Sequence, residues 1–198
     1  MSPNARALFT GEPVEVKLDE ARDAIDLYVR RLGPARLGTP SLAAQLAERA
    51  LPGPPRLVGR IRYRLFETEI VDADARPSRR RRGVGIEAIV PFRGAADFFT
   101  LRAGPQPLHA PKGLIRARSL ILTAVDPDAS AAELIERLDD QLETIRRELE
   151  EQRRRCEAMR DDLETAARRS VEARLRRMAA MAEVDDVLSA RGWLAAGR

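Results

Sequence analysis

The sequence predicts an α+β protein with a small antiparallel sheet and two N-terminal helices, followed by a long C-terminal helix or helical hairpin that forms a coiled coil. Three patterns predict this: helical periodicity before residue 52, alternation of apolar and charged residues between 59 and 125, and a stretch of roughly sixty residues without Gly or Pro after 130. These patterns divide the chain into an α+β body (1–126), a coiled-coil arm (128–191) and a flexible tail (192–198).

Two helices are predicted in the N-terminal part. Apolar residues recur three and four apart over 19–32, and Gly33-Pro34 ends the pattern. A second helix begins at Thr39-Pro40, where threonine is a good cap and proline fits the first turn. Before these helices, apolar residues at 14, 16 and 18 alternate with charged ones and predict a short strand.

Four strands are predicted in the middle of the chain. They form an antiparallel meander because their connections contain turn-forming residues and no helical pattern. The first two strands make a hairpin whose loop, 72–83, is rich in arginine. The predicted strands are 59–71, 84–90, 98–101 and 114–125.

The heptad pattern of the arm is the strongest signal in the sequence. A helix is predicted to start at Ser130, which together with Glu133 forms a capping box. Apolar residues then occupy positions a and d over roughly five heptads, which exceeds the three to four typical of a coiled coil. Gln152 is the polar exception. The residues expected to carry oligomerisation are Ile135, Leu138, Leu142, Ile145, Leu149, Cys156, Met159 and Leu163.

Two alternatives for the arm stay open: it folds back as a hairpin, or it lies along its own sheet. Acidic residues precede arginines by four positions along its outer faces, as in Glu143 and Arg147, and such pairs stabilise a solvated helix. Neither a parallel nor an antiparallel partner is clearly favoured by the charges of the heptad region.

Composition bounds the cellular setting. One cysteine excludes an intrachain disulfide, no secretion signal is visible, and no run of eighteen apolar residues occurs. We therefore expect a cytoplasmic protein without a membrane partner. The net charge of +4 is a weak indication of nucleic acid, since acidic neighbours cancel much of the arginine charge.

Catalytic chemistry has little support in these residues. His109 is the only histidine and cannot form a zinc cluster, and Cys156 lies at a heptad core position, where packing is the commoner role. Glycine-rich phosphate loops are absent. We expect no enzymatic activity and no cofactor.

Two other functions are kept as alternatives. The arginine-rich loop is the basis of a nucleic-acid-binding hypothesis, although no aromatic residue that could stack on bases lies in it. Aspartate pairs after predicted strands are the basis of a second alternative, a metal-dependent enzyme. Such aspartates are more often turn formers. The arginines are Arg76, Arg79, Arg80, Arg81 and Arg82, and the aspartates are Asp72, Asp74, Asp126 and Asp128.

From Val90 onward the chain resembles a family of uncharacterised bacterial proteins. The resemblance is carried by Val-Pro-Phe-Arg-Gly at 90–94, Phe98-Phe99, a proline-rich loop, Leu120-Ile121-Leu122 and the charged helical region. It covers about half of the chain and implies a small β-containing body, a C-terminal helical region and a place in defence-related gene islands. It implies no catalytic residue.

Together these observations predict a non-catalytic oligomerising or scaffold component of a bacterial multi-protein assembly, such as an anti-phage defence system. Association, with itself or with a partner protein, is expected through the coiled coil.

Overall fold

The computed structural model describes residues 5–72, 79–105, 109–126 and 128–193, with the backbone alone at 70–72, 79 and 80. The chain is an α+β protein with a curled antiparallel sheet and a 60-residue C-terminal helix. Its strands are β1 (Arg6–Ala7), β2 (Arg56–Leu57), β3 (Arg62–Asp72), β4 (Arg79–Arg93), β5 (Lys112–Arg116) and β6 (Ser119–Val125). Its helices are α1 (Val16–Arg30), α2 (Pro34–Leu37), α3 (Leu42–Ala50), a 3-10 helix (Ala96–Phe99) and α4 (Ala131–Ala190).

Contacts between residues group the chain into two units. One unit combines Met1–Val14 with Gly53–Cys156, and the other combines Glu15–Pro52 with Glu157–Arg198. Helix α4 therefore contributes its first part to the unit that contains the sheet and its second part to the unit that contains α1 to α3. This grouping differs from the division at residue 126, which stays a prediction about segments that fold on their own. The predicted tail lies largely outside the described residues.

The six-stranded sheet has the order β1-β5-β6-β4-β2, and β3 also pairs with β4. The predicted hairpin is confirmed, but its second strand is longer than expected. Pairing runs from Arg62 opposite Ile89 to Asp72 opposite Arg79, so the loop of 72–83 was wrong and residues 79–82 lie in β4. Opposite charges across the ladder, such as Glu69 facing Arg82, favour strand pairing here over a loop.

Three other strand predictions are corrected. Residues 98–101 do not form a strand, because Phe98 and Phe99 are both fully buried whereas successive side chains of a strand point to opposite faces; a 3-10 helix buries both. Residues 14 and 15 form a turn and residues 16–18 begin α1, so no strand forms there. The predicted strand 114–125 is two strands, joined by a tight turn in which Ala117 has φ 49°.

The core of the sheet-containing unit lies between the inner face of the sheet and the first part of α4. Strands β4 and β6 contribute alternate residues, for example Val90, Leu120 and Leu122. Phe92 meets Phe99 edge-on with ring centroids 5.0 Å apart. On the outer face Gly85 makes room for an aromatic side chain, since a Cβ there would lie 2.3 Å from the Phe66 ring.

The unit with α1 to α3 has a small core of its own. Ile25 and Val29 on α1 and Leu46 on α3 are buried. The guanidinium carbon of Arg49 lies 6.0 Å from the ring centroid of Tyr28. Helix α2, which begins at Pro34, is an additional element between the two N-terminal helices expected from the sequence.

Candidate association surface on the C-terminal helix

The start of α4 is fixed by hydrogen bonds that the sequence predicts. Ser130 N donates to Glu133 Oε2 at 2.6 Å, and Glu133 N donates to Ser130 Oγ at 3.3 Å, so the capping box is confirmed. The backbone N–H and the hydroxyl of Ser130 lower the pKa of Glu133 below its ordinary value.

The two aspartates before α4 are held by arginines. Asp126 Oδ1 accepts from Asp128 N at 3.0 Å, Asp126 Oδ2 accepts from Arg137 at 2.7 Å, and Asp128 accepts from Arg81 at 2.8 Å. The N–H of Asp128 and the guanidinium of Arg137 lower the pKa of Asp126. The Asp126 carboxylate thus acts as a turn former, and the arginines compete with a cation for both carboxylates.

The first part of the predicted heptad seam is buried inside the chain. Leu138, Leu142, Ile145 and Leu149 belong to the core beneath the sheet. Ile135 does not: 52% of it is exposed, and Leu134 is buried in its place. A straight helix packed on a sheet follows a period of 3.6 residues, whereas a heptad seam assumes 3.5, so the buried face drifts by one position at the helix start. The alternative in which the helix lies along its own sheet describes this part of α4.

Gln152, the polar exception of the heptad pattern, has a specific role in this core. Its side chain is fully buried, and Nε2 donates to Phe98 O at 3.0 Å and to Leu101 O at 2.8 Å. One turn earlier, Glu148 Oε1 accepts from Ala103 N at 2.5 Å. The two side chains therefore fix the segment that follows the 3-10 helix to α4. A coiled-coil partner is not needed to explain a glutamine at this position.

The seam continues into the second unit. Cys156 is buried in the sheet-containing unit, and Met159, Leu163 and Ala167 are buried in the other. A groove of about 610 Å³ in this second unit is lined by residues of α1 and α4, among them Ile25 and Ala166. Intrachain packing thus accounts for the apolar stripe as far as Ala167.

Beyond Ala167 the apolar residues of α4 are no longer buried within the described part of the chain. We call residues 171–190 the exposed segment, because none of them is buried within the described part of the chain. Its apolar side chains include Met181, which is 59% exposed, and Val184, which is 58% exposed. The seam predicted from the sequence ends at Leu163 and does not include these residues. Their exposure depends on where the rest of the chain lies, which the sequence pattern does not reveal.

Charges in the exposed segment also differ from those earlier in α4. Glu143 and Arg147 form an ion pair along the helix, as do Glu164 and Arg168. Within the described residues the charged side chains of the exposed segment form no ion pair, including Glu172 and Arg176, which are four residues apart. The segment carries a basic block, Arg174, Arg176 and Arg177, followed by an acidic block, Glu183, Asp185 and Asp186.

The arginines of the nucleic-acid hypothesis are not gathered into a loop in the described residues. Arg81 is paired with Asp128, Arg82 is exposed, and Arg79 and Arg80 are described only as backbone in β4. Arg76 and Asp74 lie outside the described residues, and for Asp72 only the backbone position in β3 is described. Nucleic-acid binding and a metal-dependent activity stay predictions.

A pocket of the sheet-containing unit includes the only histidine of the sequence. His109 lines a pocket of about 360 Å³ together with Lys112, Thr123, Asp140 and Thr144. Among the residues that the structure describes, no three His, Cys, Asp or Glu side chains lie close enough to hold a metal ion.

A second exposed apolar surface lies on strand β3. Tyr63 is opposite Ala88, whose side chain enters the core, so Tyr63 and Leu65 lie on the inner face of the sheet. Both are nevertheless exposed, because no β3 residue of the described part belongs to the core under α4. In the described residues β3 pairs only with β4, so its other edge is open.

Comparison with protein-family models, with curated proteins and with solved structures gives no match. No helix in the described residues has the length and apolar content needed to cross a bilayer.

Proposed function

We propose that this protein is a non-catalytic association component of a bacterial multi-protein assembly, and that it self-associates through the exposed segment of α4. The observation that carries the proposal is a helical stretch of five turns in which no residue is fully buried by the described part of the chain: Val171, Met178 and Leu188 are half-buried, and Leu175, Met181, Val184 and Val187 are exposed. Val171, Met178, Met181 and Leu188 in this stretch have heptad spacing, which favours a second helix as the covering element.

The length of the segment supports the same proposal. Isolated helices of this size are marginal in water, and most helical stability in proteins comes from packing of an apolar face. A second helix would cover that face. The anti-phage setting implied by the resemblance remains part of the proposal and rests on the resemblance alone.

The proposed association surface is the exposed segment, which lies after the heptad seam that was predicted from the sequence. Leu142 and Leu149 are packed against the chain's own sheet, so replacing them would unfold the core before it tested association. Met181 and Val184 are exposed and are the residues to change.

The molar mass in solution, measured by light scattering over a range of concentrations, tests this function. We expect the wild type to exceed the mass of one chain and the variant Met181→Ser/Val184→Ser to fall toward it. Ile135→Ser is the matched control, because Ile135 is an exposed apolar residue of the same helix outside the exposed segment. A wild type with the mass of one chain at every concentration, or a double variant that keeps the wild-type mass, would overturn the proposal.

A further inference from the structure

We infer that the partner of the exposed segment is the same segment of a second copy of this chain, and that the two helices run antiparallel with Met178 of one beside Met181 of the other. This inference rests on the proposed function and adds the identity, direction and register of the partner.

Direction follows from the order of charges. The basic block (Arg174, Arg176 and Arg177) precedes the acidic block (Glu183, Asp185 and Asp186), and Met178 to Ala182 separates them without a charge. In a parallel pair each block would face its own copy, and like charges would repel. In an antiparallel pair each basic block faces the partner's acidic block, which favours association.

Unsatisfied charges strengthen this argument. Earlier in α4 several acidic and basic residues are paired along the helix, for example Glu151 with Arg155 at 3.2 Å. Within the described residues the side chains of both blocks form no such ion pair. An intermolecular carboxylate would therefore not have to displace an intrachain one.

Register follows from the spacing of one face. Val171, Arg174, Met178, Met181, Asp185 and Leu188 lie alternately three and four apart, as the core positions of a coiled coil do. When Met178 is set beside Met181 of the second copy, Arg174 meets Asp185 and Val171 meets Leu188.

Other heptad registers match these residues less well. A shift of one heptad in one direction sets Arg174 against Met178, and a shift in the other direction sets Met181 against Asp185. The first shift also requires contacts with Ala167, which is already buried in its own unit. The chosen register is the one in which every layer is either apolar or oppositely charged.

Neutralising the basic block tests whether the two helices run antiparallel or parallel, because the dissociation constant changes in opposite directions in the two cases. Arg174→Gln/Arg176→Gln/Arg177→Gln removes the basic block. An antiparallel pair then loses attraction, and we expect the dissociation constant to rise roughly tenfold at low salt and less at high salt. A parallel pair would lose repulsion and associate more tightly. The control Arg153→Gln/Arg154→Gln/Arg155→Gln changes the net charge equally in another part of the same helix, and it should leave the constant nearly unchanged.

Spin labels measure the direction independently. In a Cys156→Ala background, single cysteines replace Ala180 or Ala190, and electron paramagnetic resonance measures the distance between the two copies. Given a rise of 1.5 Å per residue, antiparallel helices place the labels at 180 about one helix spacing apart and those at 190 roughly 30 Å apart along the axis. Parallel helices would bring both pairs close together.

The outcomes separate the inference from the function on which it rests. A two-chain mass with widely spaced labels at 190, and weaker association of the neutralised variant, is the expected result. A two-chain mass with close labels at 190, or tighter association of the neutralised variant, overturns the antiparallel pairing and leaves self-association intact. A single-chain mass at every concentration overturns both.

Discussion

Two stretches of the same helix share apolar spacing yet differ in what covers them. From Leu134 to Ala167 the stripe is buried within the chain, first under the sheet and then in the unit that contains α1. In the exposed segment no residue is buried by the described chain. A heptad pattern therefore indicates that a helix face is apolar, but it does not indicate whether a sheet, a neighbouring helix of the chain or a second molecule covers it.

The polar residues of the two stretches differ in the same way. In the first stretch Gln152 and Glu148 hydrogen-bond to the backbone beyond the 3-10 helix, and several arginines are paired along the helix. In the exposed segment, charges lie in two blocks of opposite sign without partners in the described residues. Side-chain hydrogen bonds and ion pairs thus accompany the intrachain packing, with the buried Oε1 of Gln152 as an exception among the described residues, whereas the two charged blocks form no ion pair there.

Two isoleucines in the first stretch of α4, one buried and one exposed, give the largest expected effect on stability. Ile145→Ala removes a fully buried side chain from the core, and we expect the free energy of unfolding to fall by roughly 2–5 kcal/mol. Ile135→Ala removes a half-exposed side chain and should change it by about 0.5 kcal/mol or less. Urea denaturation followed by circular dichroism measures both. Equal losses in the two variants would mean that Ile135 also packs in a core.

Replacing Gln152 has a smaller expected effect on the free energy of unfolding. The sign of that effect shows whether Gln152 lies in an intrachain core or in a coiled-coil core. Gln152→Met keeps the approximate shape and removes the buried Oε1, which has no hydrogen-bond partner among the described residues, but it leaves the carbonyls of Phe98 and Leu101 without their donor. We therefore expect the free energy of unfolding to fall by roughly 1–3 kcal/mol. In a coiled-coil core the same change would replace a buried polar group by an apolar one and stabilise the fold.

The control for Gln152→Met is Gln141→Met, which alters a partly exposed glutamine of α4. Denaturation midpoints and slopes of both variants should be compared with the wild type. A Gln152→Met protein that is more stable than the wild type would contradict the intrachain role of this side chain.

Much of this architecture could be predicted from local patterns. The capping box at Ser130, the hairpin of β3 and β4 and the long uninterrupted helix follow from spacing and from the absence of Gly and Pro. The 3-10 helix and the extension of β4 through its arginines could not, because both depend on what the backbone contacts across the fold. Phe98-Phe99 was a usable signal against a strand, since two adjacent buried aromatics do not fit one buried face.

The candidate surface was only partly predictable for the same reason. The residues chosen from the heptads were apolar and at helical spacing, yet four of them lie under the sheet, whose inner face needed covering. The opposite signs of the two charged blocks could have been read from the sequence. Their lack of intrachain partners required the structure.

The smallest expected effect is on the pH dependence of stability, and it comes from two carboxyl groups at the start of α4. Hydrogen bonds from the N–H of Asp128 and the side chain of Arg137 lower the pKa of Asp126, and those from Ser130 lower the pKa of Glu133. A carboxyl group whose pKa is lower in the folded state binds protons more readily when unfolded. It contributes stability above its ordinary pKa, about 4 for these residues, and the contribution is lost as the pH falls through the lowered folded-state value.

We therefore expect the wild type to lose more stability between pH 7 and about pH 3 than Asp126→Asn/Glu133→Gln does. The matched control is Asp139→Asn/Glu136→Gln, because Asp139 and Glu136 are exposed residues near the same helix start and form no capping hydrogen bond in the described residues. Denaturation midpoints across this pH range should be parallel for the control and the wild type. A capping variant that follows the wild-type pH dependence would show that the helix start contributes nothing to acid sensitivity, and that the first stretch of α4 is held by its apolar face alone.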